Sequence, residues 1–434
     1  MSPPSPITSR PIIYDAAHLF LSAASATPRG IDRVEIDYAR ALTASWPGEV
    51  FALLPTPWGL RLFDRPRFAR AVAYLEQCWS EHGGIDDDPV FHAISRRLAG
   101  QEVATGAGGP TRKSGGIARL LGLIVATGFS FGQSLRSIGR GAIYLNIGQL
   151  GWTSWLTTPW LARRPDIAGV FMLHDVIQLE HPDFVTPLGL HWARLMVAMV
   201  RKRATALIAT TDAARRSVIA ALGRTPAQTL TLSLPIAAVF AAPEPPDPAL
   251  AAHNYFICCG SIEPRKNHLL LLKVWQTLIA RHGNAAPKLV IVGPVSPKGA
   301  AIRDALQASP TLRSYIIIAS DVSSPALRKL VANARASLTP SFAEGFGLPE
   351  IEALALKTPV VLADIAPLRE AADGHGIYHA PDDAAGWTST IERFSFDADF
   401  IVRQRQQCAG FVPMTGAAYF SKVTEFLCSL PVPP

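Results

Sequence analysis

The sequence predicts an α/β protein built from two doubly wound, Rossmann-like domains that face each other across a cleft. Three observations lead there. Short apolar, β-rich runs alternate with helical patterns almost throughout the chain. The alternation halts at a Pro- and Ala-rich stretch, Ala237–Ala252 with Pro243, Pro245, Pro246 and Pro248, and then restarts. The 434 residues are 49% apolar and 17% charged, the balance of a well-cored protein rather than a disordered one. Strand–helix alternation implies parallel sheets with ligands at the carboxyl ends of the strands.

Element by element, a first domain is expected over 1–236. Its strands are read at Ile12–Asp15, Val50–Leu54, Ile143–Asn146, Ala168–Leu173, Leu207–Thr210 and Thr229–Leu232. The region Glu81–Arg140 departs from the alternation, and its Gln101–Gly116 part is rich in Gly, Ala and Thr. It is read as an insertion or disordered excursion, about 81–140. Residues 237–252 form a linker. A second domain, 253–410, carries strands at Tyr255–Cys259, Leu289–Val292, Tyr315–Ala319, Ala336–Thr339, Val360–Ala363 and Ile377–His379. The last segment, 411–434, holds one more helix, Gly416–Leu430.

Composition removes several classes of function. Five cysteines, with Cys258 and Cys259 adjacent in an apolar run, form neither a disulfide framework nor a spaced metal quartet, which suits a reducing compartment. The first ten residues lack the apolar core of a signal peptide. No window approaches the roughly 18 uninterrupted apolar residues of a membrane span. A net charge of +7 allows attraction to nucleic acid or to an anionic membrane. Without a basic helix, zinc-finger spacing or aromatic RNA-binding signature, nucleic acid is not expected as a partner.

The chemistry concentrates in Thr339–Glu352, which reads TPSFAEGFGLPEIE. Glu344 and Glu352 flank a Gly345-Phe346-Gly347-Leu348 turn that Pro349 converts into a helix start. Such a turn offers bare backbone N–H groups and a positive dipole end to a phosphate. A carboxylate on either side can hold polyol hydroxyls, so the stretch describes a sugar nucleotide. A second loop, Gly260-Ser261-Ile262-Glu263-Pro264-Arg265-Lys266-Asn267, follows the first strand of the second domain. Gly260 allows close backbone approach, Arg265 and Lys266 offer charge to a pyrophosphate, and Asn267 suits a helix N-cap. A third site is His174-Asp175, ending an apolar strand; a pair of this kind also serves as a plain structural hydrogen bond. A fourth is the loop Thr27-Pro28-Arg29-Gly30-Ile31-Asp32-Arg33-Val34, where Gly30 permits close approach of donor phosphate or acceptor. A plain helix start with Arg33 on the surface fits that loop equally.

The Glu-x7-Glu spacing of Glu344 and Glu352 resembles the signature of retaining, nucleotide-sugar-dependent glycosyltransferases of family 4, which have the GT-B fold. The resemblance rests mostly on Cys259–Arg369. It implies that Glu344 binds donor-sugar hydroxyls near the reacting centre and that Glu352 grips the ribose. It also implies that the Gly345–Leu348 backbone meets sugar and phosphate, and that Gly260, Ser261, Arg265 and Lys266 belong to the phosphate loop. Several relatives carry a basic residue where this chain has Ser261, which shifts weight to Arg265 and Lys266. The resemblance further places His174, with Asp175, under the transferred sugar near its 6-hydroxyl, and the last helix back on the first domain. The Gly30–Val34 wording resembles bacterial polysaccharide mannosyl- and rhamnosyltransferases. Expected partners are therefore a nucleotide sugar, GDP-mannose first, and a lipid-linked oligosaccharide at the inner face of the cell membrane. No carboxylate nucleophile emerges from the sequence, and front-face attack with the leaving phosphate as base fits that lack.

No metal or other cofactor is expected. Asp86-Asp87-Asp88 and Asp397-Ala398-Asp399 contain an Asp-x-Asp spacing, but neither ends a buried strand. The apolar run Ile117–Phe131, with Arg112, Lys113, Arg119, Arg136 and Arg140 around it, is read as a basic amphipathic face for anionic membranes or, equally, as a buried helix. The competing readings are a sugar-nucleotide epimerase or phosphorylase of the same fold and an inactive sugar-nucleotide-binding subunit. Intact Glu344, Glu352, Arg265 and Lys266 argue against the last.

Overall fold

In the computed structural model, residues 10–25, 28, 30–80, 85–101, 116–128, 131–149, 154–242 and 244–433 are described. The first sheet contains β1 (Ile12–Asp15), β2 (Val50–Thr56), β3 (Gly59–Phe63), β4 (Gln133–Ser134), β5 (Ile143–Asn146), β6 (Ala168–Met172), β7 (Ala204–Ala209) and β8 (Gln228–Thr231). Their order is β4-β3-β2-β1-β5-β6-β7-β8. The second contains β9 (Tyr255–Cys259), β10 (Lys288–Val292), β11 (Ile316–Ala319), β12 (Ser337–Thr339), β13 (Val360–Ala363) and β14 (Gly376–His379), ordered β11-β10-β9-β12-β13-β14.

All pairings in the second sheet are parallel, as are those from β2 through β1 to β8 in the first. Helices cover both faces, so the strands are buried and read as unbroken apolar runs such as YFICC and, after Lys288, LVIV. Strand order reverses between β1 and β5 in one sheet and between β9 and β12 in the other. These switch points, at the carboxyl ends of the strands, are where a doubly wound sheet leaves a crevice for a ligand.

The antiparallel strands β3 and β4 at one edge were not expected. Their sequences, GLRLF and QS, are short and partly exposed, so they lack the apolar run that marks the buried strands. Most of the expected excursion 81–140 is also built into the fold. Asp88 caps the helix Pro89–Leu98 by accepting from Val90 N and Phe91 N, and it accepts from Ser323 N of the second domain at 2.8 Å. Phe91, Ile94 and Leu98 are buried. The polar spacing of 81–88 hid a helix that buries one face against both domains. Residues 102–115, the greater part of the Gly/Ala/Thr-rich stretch, lie outside the described residues, as do Arg112 and Lys113.

The helix Gly116–Ala126 packs on the helix Arg65–Ser80, with Leu123 buried. Its other face leaves Ile117, Leu121, Ile124 and Val125 exposed. The expected linker 237–252 is docked rather than free. It carries short helices Ala238–Ala241 and Pro248–Ala251, buries Phe240 and Leu250, and pairs Glu244 with Arg328 and Asp247 with Lys329.

The last helix, Gly416–Ser429, lies against the first domain. Tyr419 Oη and Tyr38 Oη are 2.8 Å apart, and Arg10 donates to the Leu430 carbonyl. Among the described residues no helix is long and apolar enough to cross a membrane. All five cysteines are free.

Candidate active site

On the second-domain wall the chain leaves β9 at Gly260, whose φ of 132° disfavours any side chain. A Cβ there would stand 3.2 Å from Lys266 Cε, so glycine lets the lysine lie across the strand end. Ser261 follows, half-buried, and a 3₁₀ turn, Pro264–Lys266, presents the two cations. Asn267 does not cap the next helix by its side chain. It takes a left-handed conformation, φ 54°, and its amide donates to the carbonyls of Pro340 and Pro381. A carboxamide with two carbonyls in reach satisfies them and staples three loops at the sheet's end.

Those loops converge on Glu344. Lys266 Nζ lies 2.6 Å from its Oε1 and Arg265 Nη1 2.8 Å from its Oε2, and Ser341 Oγ donates at 2.6 Å. Burial alone would raise the Glu344 carboxyl, but Lys266 and Arg265 outweigh it and hold the group at about 2. Burial opposes the Arg265 charge too, and Glu344, Glu263 and Asp175 more than compensate, keeping its guanidinium above its ordinary range.

Phe346 is buried, and Gly347, φ 110°, opens the helix Leu348–Ala355 with Pro349 in its first turn. Two buried carboxylates of that helix have distinct partners. Glu350 accepts from Thr339 Oγ1, and Glu352 accepts from Arg33 Nη1 of the first domain at 2.9 Å. Burial raises both carboxyls. Ser341, Thr339 and Glu350 were not singled out in the sequence, although all three lie within the motif or its helix.

The first-domain wall comes from the ends of β1, β5 and β6. His174 is buried; its Nε2 contacts the Ile147 carbonyl at 3.0 Å, its backbone N–H donates to Gln149 Oε1, and burial lowers its imidazole to about 4. Asp175 accepts from Ile177 N, and burial raises its carboxyl against the pull of Arg265. Gly345 presses directly on this pair: a Cβ there would fall 2.5 Å from the His174 carbonyl and 3.0 Å from Asp175 Cβ. The Gly345 carbonyl accepts from Thr210 and Thr211 Oγ1. A cleft of about 210 Å³ opens beside this contact, bordered by Asp175, His181, Phe342, Glu344 and Ala366.

Gly30 begins the helix Gly30–Ser45, and a Cβ there would meet Leu348 Cδ1 at an ordinary 3.6 Å. Arg33 is turned onto Glu352. Thr27 and Arg29 of that loop lie outside the described residues. The structure therefore gathers His174, Asp175, Glu344, Gly345, Arg265 and Lys266 at one place, with Gly30, Arg33, Leu348 and Glu352 along the adjoining seam.

Asp88 and Asp397 each cap a helix rather than forming an open Asp-x-Asp pair. Among the described residues, His18, Asp32 and Glu35 form a group whose ligand atoms lie within 4.8 Å of one another. Sequence reasoning passed over His18 and Glu35, whose signal is a histidine three residues beyond the end of a strand at the switch point.

The first domain thus carries a titratable crevice, and the second an ionised carboxylate between two cations beside a helix start. Together they suit a ligand with a charged diphosphate and a polyol. Residues 253–397 match the glycosyl transferases group 1 family. A serotype-specific mannosyltransferase WbdA of Escherichia coli is 36% identical over 140 residues, 32% of this chain and 17% of that protein. The O-antigen chain mannosyltransferase RfbU of Salmonella typhimurium is 31% identical over 153 residues, 35% of this chain and 41% of its own. The chain thus spans well under half the length of these relatives.

Among solved structures, Anabaena HepE in complex with UDP superposes with a TM-score of 0.60 at 16% identity, covering 97% of this chain and 100% of its own. Sucrose-phosphate synthase from Thermosynechococcus elongatus does so with a TM-score of 0.60 at 15% identity, covering 96% and 99%. At that identity the likeness concerns the fold, which is GT-B. Residues 253–397 are thus similar to the glycosyl transferases group 1 family, and they are carried on a two-domain architecture of the GT-B type.

Proposed function

We propose that the protein is a retaining glycosyltransferase that moves a hexose, mannose first, from a nucleotide sugar to a hydroxyl of a lipid-linked or polysaccharide acceptor. GDP-mannose is the donor proposed first. The observation that carries the reading is the Glu344 carboxylate, held ionised between Lys266, Arg265 and Ser341 and sharing a cleft with Asp175 of the first domain. An ionised carboxylate there favours the positive charge that develops on the sugar ring as the bond to the diphosphate breaks. Arg265, Lys266 and the start of the helix Leu348–Ala355 supply the charge that favours the departing diphosphate. Glu344 is engaged by three partners and is not poised as a nucleophile, which supports front-face attack over a covalent intermediate.

The mannosyltransferase names of the relatives support the choice of sugar and of a surface-polysaccharide acceptor. An acceptor on a lipid carrier goes with peripheral attachment to the cytoplasmic membrane face, and the exposed apolar face of Gly116–Ala126 supports that placement. Incubation of the purified chain with radiolabelled GDP-mannose, UDP-glucose and dTDP-rhamnose tests the activity, and NMR of the product reads its anomeric configuration. Sugar transfer or slow donor hydrolysis is expected. Inversion at C2 of the sugar without transfer would indicate an epimerase, and binding without turnover an inactive subunit. Activity is expected to survive EDTA, and a complete loss restored by Mn²⁺ would overturn metal independence.

A further inference from the structure

The crevice between the carboxyl ends of β1 and β5 holds an imidazole–carboxylate couple that the donor-side contacts do not use. His18 stands in the first turn of the helix Ala17–Ser22, three residues past β1. Its Nδ1 lies 2.5 Å from Glu35 Oε2, on the helix Gly30–Ser45. Glu35 is fully buried while the His18 side chain remains 42% exposed. The other carboxylate oxygen, Glu35 Oε1, is buried without a hydrogen-bond partner. Gly148, just past β5, makes the room: a Cβ there would fall 2.3 Å from Glu35 Oε1 and 3.0 Å from His18 Cβ.

A buried carboxylate facing Nδ1 keeps the proton on that nitrogen, leaves Nε2 as the acceptor and stabilises the imidazolium once it forms. The charged neighbours act in the same sense. Burial disfavours the His18 charge, but Glu35, Asp32 Oδ1 at 3.8 Å from Nδ1 and Asp15 at the end of β1 outweigh it and raise the imidazole. Burial opposes the Glu35 charge in turn and pushes its carboxyl up to about 7 against the pull of His18. His174, on the adjoining strand end, feels the His18 charge and is itself held neutral.

We propose that His18 binds the acceptor's sugar hydroxyl and takes its proton during transfer, with Glu35 as its positioning residue. The inference rests on the glycosyltransferase reading above and names where the proton goes. The acceptor oxygen bonds to the anomeric carbon as the bond from that carbon to the phosphate oxygen breaks. The electron pair leaves on the nucleoside diphosphate, and the hydroxyl proton passes to His18 Nε2. The imidazolium stays paired with Glu35 until solvent removes the proton.

The test uses the full chain with GDP-mannose as donor probe and octyl α-mannoside as acceptor probe. With ¹⁵N-histidine labelling, the His18 Nε2 signal, assigned by its loss in His18→Gln, should move when octyl mannoside is added to the GDP-bound protein. His18→Gln should lower mannosyl transfer about 10²-fold or more while GDP affinity stays unchanged. Glu35→Gln should move the acid limb of kcat/KM to lower pH, because the imidazole loses the partner that raises it. A purely structural role for Glu35 would leave that limb in place. An unmoved His18 signal overturns the proposal, and so does His18→Gln retaining transfer within a few-fold, which would leave the proton to the leaving phosphate. Wild-type protein that neither transfers nor hydrolyses any of the three nucleotide sugars overturns the glycosyltransferase reading itself, a distinct result.

Discussion

Arg33 Nη1 lies 2.9 Å from Glu352 Oε1, joining the first helix at the cleft of one domain to the motif helix of the other. The carboxylate is 5% exposed and the guanidinium 20%, so water screens the pair poorly. Arg33→Ala should therefore strand a buried carboxylate and destabilise the protein by about 3 kcal/mol, read as a fall in Tm. Combining it with Glu352→Gln should recover much of that loss. A double variant no better than Arg33→Ala would mean that the two side chains are not energetically coupled.

Glu344→Ala should cost about 10²-fold or more in kcat with the fold retained, as for loss of a preorganised electrostatic contact. The substitution also alters acid stability in a definite direction. Lys266 and Arg265 hold the folded-state carboxyl at about 2, below its ordinary 4.5. Its contribution is therefore fully present above pH 4.5 and is lost as pH falls towards 2. Acid denaturation followed by circular dichroism should be shallower between those values in Glu344→Gln. Near-normal turnover in Glu344→Ala would remove it from the site.

Neutralising Arg265 and Lys266 together, as Arg265→Gln with Lys266→Gln, should abolish measurable GDP binding by calorimetry. Two charge-assisted phosphate contacts vanish, and Glu344 is left buried without its cations. Unchanged affinity would move the diphosphate site elsewhere.

The exposed face of Gly116–Ala126 should bring the protein reversibly to anionic membranes. Ile117, Leu121, Ile124 and Val125 point outward, and Trp58 and Phe131 are exposed with their rings 5.0 Å apart. Cations near an anionic surface contribute roughly 1 kcal/mol each and are screened by salt. Co-sedimentation with phosphatidylserine vesicles should be strong at low salt and weak at high salt. Because Leu123 anchors the helix, Ile117→Ser with Leu121→Ser tests the outer face without removing the segment. A double variant that sediments like the parent would leave this face without a membrane role.

Much of the architecture was legible because its causes are local. Strands such as Tyr255–Cys259 and Val360–Ala363 are unbroken apolar runs between turn residues, and a run of that kind declares a doubly buried strand by itself. The helix start after Gly347 was equally readable, since Gly-Leu-Pro-Glu carries its own turn and first-turn chemistry. Glu344, Arg265 and His174 could be nominated for the same reason, each sitting one or a few residues past an apolar run.

Partnership was not legible. Glu344 could equally have faced solvent; it is Ser341 and the convergence of the Gly260 and Thr339 loops that bring it between Lys266 and Arg265. Arg33 is 319 residues from Glu352, and which carboxylate a long cation reaches depends on how two domains dock. The docked stretch 85–98, the left-handed Asn267 and the His18–Glu35 couple beside Gly148 share that dependence. By itself the sequence determined the elements and the chemistry at their ends, because hydrophobic period and turn chemistry act over a few residues. Only the tertiary structure decided which charges are desolvated together, because burial and the distance between charges are set by packing between distant segments.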